Sequence, residues 1–204
     1  SKSELSAVYY DTKEKIAYAV DEEVPASERK DLYASGDLGK TWDVVYRSDG
    51  HIFRFCTLKS GYHLLLHGDG RMKRLSPDFS VVENIDEEIR FKGSMNTFIG
   101  VDSKENGVVM YAEYGTNPDT VYNIYRSLDN GLTWEITKTG EEVRHWHSVQ
   151  VDPYTGHWWA CGGDVGEQNR IIRSKDDGET WEVMSSGKQD YRACGLVFTE
   201  NEVM

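Results

Sequence analysis

The chain has 204 residues, 38% hydrophobic and 28% charged, an ordinary balance for a globular protein and a poor one for a disordered segment. Its formal net charge of −12 is broken by no cluster of Lys and Arg, so long-range repulsion argues against a nucleic-acid partner. No stretch approaches the ~20 apolar residues of a membrane-spanning helix, and the opening SKSELSAVYY lacks the apolar core of a signal peptide.

Aromatic residues reach 12% against only 4 prolines, and Val, Ile, Tyr, Trp and Thr recur in short runs, which predicts strands along most of the chain. The first unit reads as strands SAVYY, IAYAV, KDLYAS and TWDVV, separated by polar turns. The second opens with HIFRFCTL and YHLLLHG and is compressed after them. The third gives NTFIGV, GVVMYAEY, YNIYRS and TWEIT, and the fourth HWHSVQV, HWWAC, RIIRS and TWEVM. A fifth begins at YRACGLVFTENEVM and stops inside its second strand. The units span approximately 4–48, 51–86, 94–139, 144–187 and, in part, 191–204. Helical periodicity is absent, because the apolar runs last four to six residues between turn signals.

One polar phrase recurs between the third and fourth strands. ASGDLGKTWDV, RSLDNGLTWEI and RSKDDGETWEV share the pattern S-x-D-x-G-x-T-W: Ser35, Asp37, Gly39 and Trp42; Ser127, Asp129, Gly131 and Trp134; Ser174, Asp176, Gly178 and Trp181. A worn copy keeps Ser76 and Asp78 but has Ser80 at the glycine position and no Thr-Trp after it. The aspartates are 41, 51 and 47 residues apart, which matches the ~40–50 residues of a four-stranded propeller blade. In a tight hairpin, Gly supplies positive φ while Asp and Ser bond the turn's own backbone. The Trp is expected to open the outer strand and to bury a large area where blades meet.

With these boxes the sequence resembles the Asp-box, or BNR-repeat, sialidase-like propellers, through repeats that cover almost the whole chain. The resemblance implies an all-β, sialidase-like β-propeller of four-stranded antiparallel blades, about four of them plus an incomplete fifth. It also places the boxes at the blade periphery, away from any substrate channel. Two strands cannot cover their own edges, so the expectation is a piece of a longer propeller of six or seven blades, or a ring closed by pairing with a second copy. Fold does not carry function with it. The first functional reading is a carbohydrate-active propeller, a glycoside hydrolase or polysaccharide lyase that binds a glycan at the central channel. The alternative is a non-catalytic glycan- or protein-binding propeller, or an assembly scaffold. The sialidase marks, an Arg-Ile-Pro segment and an assignable Tyr–Glu nucleophile pair, are absent from these residues.

Candidate site residues follow from the blade register, because innermost strands line the channel. Arg144 stands eight residues before Asp152, and Arg192 eight before Glu200, so both occupy one position in adjacent units. Guanidinium groups suit bidentate carboxylate binding, and the resemblance implies three such arginines around a sialidase ligand; Arg54 and Arg90 are out of register. His145 and His147, two apart, should share one strand face as a proton-transfer pair, with Arg144 and Trp146 on the other unless a bulge intervenes. Metal ligation would need a third group such as Asp164 or Glu167, so no metal site and no cofactor are assigned. Asp164, Asp21 and Glu113 end the second strands of their units, as acid–base groups or as strand caps. His63 and His67 share a face around LLL and are further ligand candidates, while Tyr154, Trp158 and Trp159 are available for sugar stacking or for packing between blades. Cys56, Cys161 and Cys194, with no C-x-x-C pair, are expected as small buried residues, a Cys161–Cys194 contact being the one pairing to examine.

Overall fold

The computed structural model describes residues 5–21, 23–92 and 100–204; residue 4 and residues 94–99, where two of the expected units begin, lie outside them. The chain divides into two compact units, Ser1–Phe91 and Lys92–Met204. Each contains two four-stranded antiparallel sheets in which successive strands are neighbours.

In the first unit one sheet is β1 (Leu5–Asp11), β2 (Ile16–Asp21), β3 (Asp31–Ser35) and β4 (Asp43–Arg47). The other is β5 (Ile52–Thr57), β6 (His63–His67), β7 (Met72–Leu75) and β8 (Val82–Asn84). The second unit holds β9 (Val101–Ser103), β10 (Val109–Ala112), β11 (Ile124–Ser127) and β12 (Glu135–Lys138). Its last sheet is β13 (Trp146–Val151), β14 (Trp158–Gly162), β15 (Arg170–Ser174) and β16 (Glu182–Ser186). Among the described residues no helix is long and apolar enough to cross a membrane.

Burial falls from the middle of each sheet outward, and the sequence shows why. Strands β6, β10 and β14, as HLLLH, VMYA and WWACG, are buried at every position, so they read as continuous apolar runs. The fourth strands β4, β12 and β16 have no buried position, and each opens on an exposed carboxylate. Within the first unit the two sheets share a core of Tyr18, Val20 and Leu32 against Phe55, Leu65 and Leu75. Within the second, Met110 and Ile124 pack against Trp146, Val149, Trp158 and Ile172.

The repeated phrase forms the same turn three times. The Ser hydroxyl donates to the Asp carboxylate at 2.8 Å and accepts the Gly N–H at 2.8 Å in all three copies. The carboxylate also accepts the Thr N–H at 2.9 Å and the Thr hydroxyl at 2.6–2.7 Å. Because Thr is still tied to the turn, the fourth strands begin two residues later than the sequence pattern suggests, just after the Trp. The turn needs two left-handed residues, not one: φ is +83° at Gly39 and +61° at Leu38, with Asn130 and Asp177 at the matching positions of the other copies. In the worn copy Phe79 alone is left-handed, at +61°, and the Ser80 hydroxyl bonds Asp78 at 2.7 Å in place of the missing Thr.

Two expectations change, for the box tryptophans and for Cys194. The box tryptophans Trp42, Trp134 and Trp181 are only half-buried, since two of them fold back to donate to the Gly39 and Gly131 carbonyls, and the deeply buried indoles are Trp146 and Trp158. Residues 191–204 hold no named strand, but Phe198 bridges Val203 and Val197 exchanges backbone hydrogen bonds with Met204 across the expected turn, and the segment pairs through Leu196 with the side chain of Gln150. Cys194 is exposed, whereas Cys56 and Cys161 are buried and all three are free thiols.

Two outcomes are expected. Leu38 is a γ-branched residue in a conformation that Asn tolerates better, so Leu38→Asn should raise stability by about 0.5–1 kcal/mol in chemical denaturation. The turn carboxylates of Asp37, Asp78 and Asp176 are held down to about 2, chiefly by the Thr41 N–H, the Ser76 hydroxyl and the Thr180 hydroxyl respectively. Because these values are depressed relative to the unfolded chain, their contribution is complete above pH ~4 and is lost as pH falls through about 2. The combined Asp37→Asn and Asp176→Asn variant should therefore show a shallower loss of stability than the parent between those pH values in urea titrations.

Candidate functional site

The candidate residues of the fourth unit converge on one carboxylate. Strand β13 begins at Trp146, so Arg144 and His145 precede it and the alternation of a strand does not govern where Arg144 points. Trp146 pairs with Gly162 and Ser148 with Cys161, which leaves His147 as the extra residue of a β-bulge. Trp146 turns into the core while both imidazoles meet on the other side, Nε2 to Nε2 at 3.1 Å. Asp164 lies beside them, 3.6 Å from His145 Nε2 and 3.4 Å from His147 Nε2.

Asp164 reaches this place through two glycines at the end of β14. Gly163 has φ of +94° and donates its N–H to the His145 carbonyl at 3.1 Å; a Cβ there would stand 2.3 Å from the Gln168 carbonyl oxygen. Arg144 donates to Oδ2 of Asp164 at 3.0 Å, and Arg192 donates to Oδ1 at 3.2 Å. Arg192 arrives on the segment after a 3-10 turn at Gln189–Tyr191, so the residues expected as a partial fifth unit form one wall of the cluster.

Each imidazole is fixed by a backbone carbonyl. His145 Nδ1 donates to Gly115 O at 2.6 Å and His147 Nδ1 to Ala193 O at 2.7 Å, so both rings carry their proton on Nδ1. The Tyr114 ring lies 4.0 Å from that of His145. Both imidazole side chains are buried, at 2% and 5% exposure, whereas Arg144 and Arg192 are 44% and 47% exposed. Burial pushes His145 below its ordinary pKa, an effect only partly offset by the Gly115 carbonyl and Asp164. For Asp164 burial acts upward, but His145 and then Arg192, His147 and Arg144 hold the carboxyl below its usual range. At neutral pH the cluster is thus an ionised carboxylate between two guanidinium groups, with neutral imidazole at His145, a local excess of positive charge in a chain of net −12.

Beside Arg144 a cleft of about 390 Å³ is lined by Thr116, Asp119, Thr120, Glu141 and Gln168. Glu167, the other ligand weighed from sequence, sits on a short 3-10 turn and is not among the converging donors.

The three carboxylates at the second-strand ends do different work. Asp21 accepts the Glu23 N–H at 3.1 Å. Glu113 is fully buried, accepts the Lys92 and Asn123 N–H groups at 2.8 Å each, and is raised by that burial. Asp164 is engaged by Arg and His side chains.

The remaining candidates are committed to structure within their own units. His63 stacks on Phe79 at 4.5 Å, with Thr57 Oγ1 3.0 Å from Nδ1 and Nε2 donating to Pro77 O at 3.3 Å. His67 is 1% exposed and meets Ser48 Oγ at 2.9 Å. Arg54 lies over the Phe53 ring, and Arg90 donates to the Glu87 and Ile89 carbonyls. Trp158 is a core indole that donates to Asp177, and Trp159 is buried under Arg173, which leaves exposed Tyr154 as the one aromatic of that group open to a ligand. Sequence reasoning did not find Tyr114 or the Gly115 and Ala193 carbonyls. The Gly-Gly before Asp164 was the only local signal of an unusual approach.

No protein-family model matches the sequence, and no curated protein matches it significantly. Solved structures do match, 114 chains in all. Among them "YCF48 bound to D1 peptide" superposes with a TM-score of 0.53 at 16% identity, covering 92% of this chain and 56% of that one. The likeness shows the fold: all-β, of the β-propeller class, with four-stranded antiparallel blades. This chain spans about half the length of that neighbour.

The site's geometry makes a prediction about its glycine. Gly163→Ala places a Cβ against the Gln168 carbonyl and forces a left-handed residue, so it should cost about 2 kcal/mol or more in denaturant unfolding. A cost below about 0.5 kcal/mol, the size of an ordinary surface substitution, would show that the close approach carrying Asp164 is not real.

Proposed function

We propose that this chain is part of a non-catalytic binding propeller, and that the Asp164 cluster holds a carboxylate of a polypeptide partner. The observation that carries this reading is the pair Arg144 and Arg192. Each makes a single contact to an opposite oxygen of one carboxylate, and each is close to half exposed. A guanidinium has five N–H donors, so most of the donor capacity at this point faces outward. The adjoining cleft is mixed in sign, with Asp119 and Glu141 as well as Arg144. A polyanionic glycan would be repelled along it, whereas a peptide offers one carboxylate for the arginines and backbone amides for the acidic wall. YCF48, the neighbour in fold, is bound to a D1 peptide, which supports a peptide as ligand without naming the one bound here.

The carbohydrate-active reading draws on the same imidazole pair as proton-transfer groups. Glycoside hydrolysis ordinarily uses two carboxyl groups flanking the scissile bond, and this cluster contains one, already neutralised by two arginines. That balance favours binding over hydrolysis.

The test is an array of acidic peptides, each with a free and an amidated C-terminus, read by fluorescence anisotropy. Arg144→Ala and Arg192→Ala should each weaken binding of the free-carboxylate peptides about 10- to 100-fold, as loss of a charge-assisted hydrogen bond does. Peptide binding that ignores both arginines ends this reading. New reducing ends or unsaturated sugars after incubation with glycans would restore the enzyme in its place.

A further inference from the structure

The histidine pair poses a problem that peptide binding does not solve. Both rings are locked with the proton on Nδ1, because a backbone carbonyl can only accept: Gly115 O takes one at 2.6 Å and Ala193 O the other at 2.7 Å. The two Nε2 atoms, which carry the lone pair in an Nδ1–H imidazole, stand 3.1 Å from each other. A carboxylate stands 3.4 and 3.6 Å away. Arg144 and Arg192 offset the charge of that carboxylate, and the three groups still bring one possible ligand atom each to within 4.8 Å of one another, a set that a cation can bridge.

We propose that His145 Nε2, His147 Nε2 and the Asp164 carboxylate form a site for a divalent transition-metal ion, with zinc the best match. Zinc binds imidazole nitrogen and carboxylate oxygen at about 2.0–2.2 Å, which sets neighbouring ligands of a tetrahedron about 3.3–3.4 Å apart. The two Nε2 atoms are 3.1 Å apart, and each lies near that edge from an oxygen of Asp164, His147 at 3.4 Å from Oδ1 and His145 at 3.6 Å from Oδ2, so a small shift of the carboxylate would complete the set. Soft thiolate ligands are absent from the set, and two imidazoles with one carboxylate favour zinc over calcium or magnesium, which take oxygen.

The surroundings are those of a prepared ligand set. Metal-binding histidines characteristically donate their other N–H to a carbonyl or carboxylate, which fixes tautomer and ring orientation. Both rings do so here, and burial, the bulge at His147 and the Tyr114 ring restrict them further. Three protein ligands leave a fourth position for water or for a ligand anion. An ion that takes Asp164 competes with Arg144 and Arg192 for the same oxygens, which releases guanidinium donors toward that anion. The metal site stands on the imidazole pair and is independent of which partner binds outside it.

The experiment uses the full chain, stripped with a chelator, then titrated with zinc by calorimetry and with cobalt by visible absorption. The expected result is one ion per chain, the intense visible bands of four-coordinate cobalt, and reversal by chelator. His147→Gln and Asp164→Asn, each checked for folding by circular dichroism, should weaken the ion at least about 10- to 100-fold, since even outer partners have effects of that size. Arg144→Ala with Arg192→Ala should leave zinc binding equal or tighter while peptide binding falls, so the two proposals fail separately. A folded parent chain that takes up neither ion stoichiometrically overturns the site and leaves a shared proton as the bridging cation. Uptake unchanged in both ligand variants overturns it equally, by placing the ion elsewhere.

Discussion

The structure depends on a carboxylate that is kept ionised by its own turn. In three copies an Asp accepts a Ser hydroxyl, a Thr hydroxyl and a Thr N–H, so the third and fourth strands of a sheet are joined by side-chain bonds as well as by the ladder. All of these donors lie within four residues of the acceptor, and the turn closes without help from distant parts of the chain. The worn copy shows what is dispensable. With Ser80 in place of Gly and Thr, the Ser76–Asp78 contact survives at 2.6 Å and the hairpin still forms.

These turns hold the outermost strands, which have little else to hold them. Strand β16 is exposed at most positions and β14 is buried at all of them, so the stability of a sheet is concentrated in its middle. Trp146 and Trp158 fill that middle in the last sheet. Their burial also sets the chemistry behind them, because a bulge that turns Trp146 inward presents His145 and His147 together on the opposite side. A packing requirement and a polar cluster are thus two consequences of one irregularity in β13.

Residues 191–204 stand outside the four sheets and still serve the cluster. Their strand-like spacing predicts the start of another blade; the segment leaves a 3-10 turn at Gln189–Tyr191, holds a short antiparallel pairing of Phe198 with Val203, bonds Gln150 and brings Arg192 to Asp164 and the Ala193 carbonyl to His147. Register puts Arg192 in the same position as Arg144, and the fold brings both to Asp164. Each contacts an opposite oxygen of that carboxylate, Arg144 from just before β13 and Arg192 from just after the 3-10 turn.

By itself the sequence determined the strand order, the four box turns and the residue types available to the cluster. Each of these rests on spacing of a few residues, where covalent connection already fixes the distances. The central runs LLL, VMY and WWA likewise announce strands covered on both faces. Tertiary structure alone decided that Asp164 would meet Arg and His side chains while Glu113 closes on the Lys92 and Asn123 N–H groups. It also decided the tautomers of His145 and His147, because the carbonyls that fix them come from residues 30 and 46 positions away. A hydrogen-bond acceptor that every residue carries on its backbone leaves no mark in the amino-acid code, so only the folded path of the chain could reveal it.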